Sequence, residues 1–159
     1  MMYQTYLNAI KQHIATGLTA VKQVDFYNEQ YDNYDDSRPP KLPAVYVEFD
    51  NPMQWQTAGN GLQVAADTGI RLHLVLFDLS DQPNRIFALA KQLHQLMQGF
   101  EIADNDGMKL STAWLRTQSE VQKYDQLKVA VLTYQTALYD TSTLPQTTEV
   151  MIQPNISYS

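Results

Sequence analysis

The side chains best suited to proton transfer or metal ligation are three histidines, His13, His73 and His94. No two stand at the i, i+4 spacing that puts paired ligands on one helix face, and no neighbouring His-Glu or cysteine pattern accompanies them. Each therefore reads first as a structural or solvent-facing histidine. His73 merits inspection because it shares strand parity with Arg71 in the run GIRLHL. Tyr46 lies in a second strand-like run, PAVYVEFD. Tyr46, Arg71 and His73 on adjacent strands would line a pocket for a small ligand or a catalytic step. Other groups are weaker. Asp35 and Asp36 are adjacent in a loop and read as a solvated acidic turn. The Asp104–Gly107 stretch lacks calcium-loop spacing and reads as a plain turn. Gly59-Asn60-Gly61 lacks the third glycine of a dinucleotide fingerprint, and neither a serine elbow nor a phosphate loop occurs. With no cysteine in the chain, thiolate metal sites, disulfides and cysteine nucleophiles are excluded. No cofactor and no metal is expected.

The elements that would position these residues centre on residues 69–100. Ile70, Leu72, Leu74 and Leu76 alternate with Arg71, His73, Val75 and Phe77, giving a strand with one aliphatic face and one partly polar face. Ser80 or Asp81 is expected to cap the next helix, with Pro83 in its first turn. Ile86, Leu89, Ala90, Leu93, Leu96, Met97 and Phe100 recur at helical spacing, and Gly99 is the expected stop. This helix should cover the aliphatic face. Upstream, residues 2–23 read as a helix with a stripe of Tyr3, Tyr6, Leu7, Ile10, Ile14, Leu18 and Val21, and Gly17 beside it permits a close approach. Residues 24–28 read as a short extended segment and residues 29–41 as a surface loop carrying Tyr31 and Tyr34, placed either to anchor a contact or to fold back. Residues 43–50 are a strand. Residues 51–68 form a hairpin about Asn60-Gly61, with Met53, Trp55, Leu62 and Val64 on its arms and its tip beyond the core. Residues 109–116 are expected as a strand, 118–126 as a polar connection, and 127–139 as a long last strand. The two strands should pair antiparallel.

The 159 residues suit one domain over residues 1–140, followed by a polar tail over 141–159, ordered on assembly. The tail's Val150, Met151, Ile152 and Ile156 need a partner subunit or the domain to dock on. Hydrophobic residues make up 44%, enough for a core, whereas charged residues are only 18%, which suits contact surfaces. A net charge of -6 without any basic run argues against phosphate-neutralising nucleic-acid binding. No apolar run approaches the roughly 20 residues of a membrane span, and no signal peptide is evident. The expected fold class is α+β. It has an antiparallel or mixed sheet of about four to five strands, two helices on one face and a projecting hairpin.

The order helix, loop, PAVYVEF strand, hairpin, IRLHLVLFD strand, helix, strand, long strand resembles the tail terminator proteins of long-tailed bacteriophages and prophages. The resemblance spans about residues 3–140. It is carried by residues 43–48 after a proline-bearing loop, the hairpin ending at 69–74, the helix over 86–98 and the closing strand over 129–140. It implies a structural, non-enzymatic virion protein, made in the host cytoplasm and placed at the head-proximal end of the tail. Such proteins form a hexameric ring that stops tube growth and helps join tail to head. The implied partners are further copies of the chain, the tail tube protein and a head–tail connector protein, with no sequence-specific nucleic-acid binding and no membrane. Oligomer or partner contacts would involve Tyr31, Tyr34, Met53, Trp55, Leu62, Val64, Met151 and Ile152. Two alternatives stay open: a head–tail connector or neck protein, and a small-ligand or catalytic domain built on Tyr46, Arg71 and His73.

Overall fold

The computed structural model describes residues 2–31 and 41–144. Tyr34, Met151 and Ile152 lie outside them. The described chain runs α1 (Tyr3–Gly17), β1 (Gln23–Phe26), β2 (Ala44–Phe49), β3 (Gln56–Thr57), β4 (Gln63–Phe77), α2 (Arg85–Met97), β5 (Leu115–Tyr124) and β6 (Leu127–Asp140). The fold is α+β, with a six-stranded, open sheet of order β1-β2-β4-β6-β5, and β3 paired to the start of β4. Only the β1–β2 pair is parallel.

Both helices lie on one face. Tyr6, Leu7, Ile10 and Ile14 of α1 and Ile86, Leu89, Leu93 and Met97 of α2 form one core with Ile70, Leu72, Leu74 and Leu76. The expected aliphatic face is thus the face that the helices cover. From β6, Leu132, Tyr134 and Leu138 join this core, while Val129 and Val131 face the other way into a smaller cluster. Gly17 is where the helices approach: a Cβ there would stand 2.4 Å from Leu96 Cδ1.

Four expectations are corrected. The first helix ends at Gly17 rather than at residue 23, because Gln23–Phe26 is taken into the sheet by pairing with β2. The second helix starts from Asn84, without a side-chain cap from Ser80 or Asp81. Residues 79–82 close a turn of their own, Gln82 N–H donating to Leu79 O, so Pro83 precedes the helix. Gly99 does follow the helix end, with a φ of +81°. Residues 109–114 make only isolated bridges, Ala103 with Lys109 and Ser111 with Leu138. The strand is Leu115–Tyr124, largely the stretch expected as a connection. Its side chains are exposed on both faces, so it lacks the alternation that a half-buried strand shows. The apolar Leu110 and Trp114 that suggested a strand are instead buried in the loop before it.

Candidate functional site

The polar face of the sheet is built by two facing pairs of alternating residues. Tyr46 stands opposite His73 and Glu48 opposite Arg71, and Asp50 follows on β2's side. The period of two puts Glu48 and Asp50 on the same face as Arg71 and His73. Arg71 Nη1 and Nη2 donate to Asp50 Oδ1 at 3.0 and 2.9 Å, and Arg71 Nε lies 3.7 Å from Glu48 Oε1. Asp50 Oδ2 accepts the Gly69 N–H at 2.7 Å. Any side chain at Gly69 would meet this carboxylate, since a Cβ there would lie 2.9 Å from Oδ1. A glycine in the middle of a 15-residue strand thus has a cause: it admits the group that clamps Arg71.

His73 is 5% exposed. Its Nε2 bonds Glu48 Oε1 at 2.8 Å and its Nδ1 bonds the Tyr31 hydroxyl at 2.8 Å. With the Nε2 proton directed at the carboxylate, Nδ1 accepts from Tyr31. The Tyr27 ring stacks on the imidazole, 4.1 Å between centroids and 3° from parallel. Tyr31 packs edge-on against Tyr124 at 4.9 Å. Burial, and then Asp25, push the neighbouring Tyr46 hydroxyl's pKa up. Arg71, His73 and Tyr46 therefore do come together, but two tyrosines pack on the histidine, Asp50 holds Arg71 and Glu48 engages His73. The cluster's evident work is to fasten residues 27–31 to the sheet.

The other histidines are likewise engaged. His13 Nε2 bonds Leu96 O at 3.0 Å and stacks on Phe100. His94 Nδ1 bonds the Tyr134 hydroxyl at 2.9 Å. Burial, and next Arg116, hold His94's pKa below the ordinary imidazole range. Among the described residues no group of three acidic, histidine or cysteine side chains is placed to hold a metal. Asp104 Oδ1 accepts the backbone N–H groups of Asp106 and Met108, closing a turn.

The residues expected at contacts are distributed as follows. Tyr31 is 8% exposed, turned onto its own sheet. Met53 and Trp55 are half-buried against the helix-side core. Leu62 and Val64 are half-buried at the hairpin, whose turn over Gly59–Gly61 has Asn60 at a φ of 63°. Leu62 also lines a cleft of about 370 Å³ with Met108, Tyr139 and Leu144.

No protein-family profile and no curated protein matches this chain. Among solved structures, a chain from the virion of a native gene transfer agent particle is similar, with a TM-score of 0.43 and 14% identity, over 87% of this chain and 92% of that one.

Glu48, Asp50 and Tyr27 were not singled out from sequence. The signal was present for the carboxylates: E-x-D on one strand mirrors R-x-H on the next, a complementary alternation that antiparallel neighbours bring face to face. Tyr27 carried no such signal, because its position depends on how the chain leaves β1.

Proposed function

We propose that the chain is a structural virion protein of a long-tailed phage that caps the tail tube as a ring of copies and helps join tail to head. The observation that carries this reading is the folded order of elements. Helix, PAVYVEF strand, hairpin, IRLHLVLFD strand, helix and a closing strand pair assemble into an antiparallel sheet with both helices on one face, as the sequence resemblance over residues 3–140 implies. The chemistry of the polar face supports the same reading. Arg71 is held by Asp50, and His73 by Glu48 and Tyr31, whereas a catalytic site needs converging groups aimed at open space. What the molecule offers outward is shape: a hairpin turn and a long exposed edge strand.

On this reading the protein acts without turnover and works at the head-proximal end of the tail. The test is to incubate purified protein with assembled tail tubes and image them, with light scattering to size the free protein. Ring density at one tube end, and arrest of tube elongation, are expected. Binding to a head-side adaptor with no affinity for tube ends would instead make it a connector. Failure to bind either would overturn the proposal.

A further inference from the structure

The sheet stops at β5, which pairs with β6 on one side only. A two-residue turn, with Asp125 at a φ of 52°, closes on the pair Tyr124–Leu127. That closing pair exchanges hydrogen bonds, and the exchange recurs at alternate pairs. Gln122 and Glu120 therefore bond β6, while Ser119, Val121 and Lys123 aim their N–H and C=O groups outward. Two observations agree. Gln126 O accepts from Asp78 on the β4 side, as the alternation requires, and the Arg116 N–H turns away from β6 to Gln98 Oε1 at 3.0 Å. Among the described residues, no strand takes up the outward groups of Ser119, Val121 and Lys123.

Beside this edge runs a groove of about 510 Å³. Phe87, Ala90, Lys91 and His94 of α2 form one wall, Arg116, Ser119 and Val121 the other, and Ala130 and Leu132 the floor. Phe87 is 56% and Val121 42% exposed. A long unpaired edge beside an apolar groove is a template for strand addition, and soluble proteins seldom leave one uncovered.

The chain contains a segment of matching chemistry. Residues 146–153, QTTEVMIQ, lie between Pro145 and Pro154, are rich in strand-forming residues and contain three consecutive apolar ones. Glu149 is the one charged side chain in residues 145–159, opposite in sign to Lys91 and Arg116, which outnumber the one acidic residue lining the groove, Glu120. The segment is poorly placed for the edge of its own copy. Val121 sits opposite Ala130, ten residues before β6 ends at Asp140, so a tail folding back would have to retrace roughly 33 Å along the strand before pairing there. The chain also leaves β6 on the wrong side: the Thr143 hydroxyl donates to Gly61 O at 3.0 Å, beside β4 and away from β5.

We propose that residues 146–153 of one copy add as a strand to the free edge of β5 in a neighbouring copy, seating alternate apolar side chains in the groove between α2 and β5. This rests on the reading that copies assemble, and not on what the assembly caps.

The absence of cysteine makes a direct test available. Full-length Ser119→Cys protein is mixed with full-length Glu149→Cys, Val150→Cys, Met151→Cys or Ile152→Cys protein and oxidised with diamide. Facing residues on paired strands approach within disulfide range. Mixed covalent dimers are expected at alternate tail positions, at least five-fold above the positions between them and above a Lys11→Cys control. Adding Val121→Pro to the Ser119→Cys partner should abolish them while its circular dichroism stays unchanged, since that N–H makes no ladder bond within the chain. Equal yields at all four positions, no mixed dimer, or an intramolecular link when both cysteines share one chain would each overturn the proposal. Tube capping without the alternating pattern would leave the proposed function standing and remove strand addition; the pattern without capping would do the reverse.

Discussion

Gly69 and Asp50 form the tightest local constraint on the polar face. The carboxylate occupies the space that a side chain at residue 69 would need, and it holds Arg71 through two nitrogens. Gly69→Val should cost about 1–3 kcal/mol, since the strand must shift or the carboxylate must leave; a denaturant midpoint measures it. His73→Phe keeps a ring beneath Tyr27 but removes the hydrogen bonds to the Tyr31 hydroxyl and to Glu48, at about 1–3 kcal/mol. In a Tyr31→Phe background the same change should cost less, and the cycle of four stabilities reads the coupling. His94 gives a pH dependence. Its folded pKa is lowered by burial and then by Arg116, so the folded state binds the proton less readily than the unfolded chain. Its contribution is whole above the ordinary imidazole pKa and declines as pH falls below it. Thermal melts across that window should lose this slope in His94→Gln.

Elements were legible in the sequence where one face is buried and the other is not. The alternation of Ile70, Leu72, Leu74 and Leu76 and the helical stripe from Ile86 to Met97 each record a single environment repeated along the element, and the fold places both stripes in one core. Legibility failed where the environment does not alternate. β5 is exposed on both faces and reads as a connection, while Trp114 and Leu110, buried in irregular backbone, read as a strand. Helix starts failed for a related reason: Ser80 and Asp81 are good capping types, but residues 79–82 form a separate turn that moves the start to Asn84. The helix pair has its own test. Gly17→Val would drive methyl groups into Leu96 of α2, and should destabilise by about 1–3 kcal/mol. Leu96→Ala should relieve most of that loss in the double variant, because the clash is with one side chain.

At the scale of the molecule, the candidate site was half visible. Arg71, His73 and Tyr46 could be placed together from strand parity alone, yet their roof of Tyr27 and Tyr31 depends on where residues 27–31 pack, a non-local outcome that no periodicity encodes. The Tyr27 stack and the Tyr31 hydrogen bond tie residues 27–31 to the sheet at His73. As proposed above, the folded unit acts by assembling with copies of itself at the end of a tail tube. Electron microscopy of growing tail tubes, with and without the full-length protein, is the decisive experiment. A ring at one end of each tube, with a sharp tube length set when the protein is added, is the result expected. Tubes that grow on with bare ends at saturating protein would contradict it.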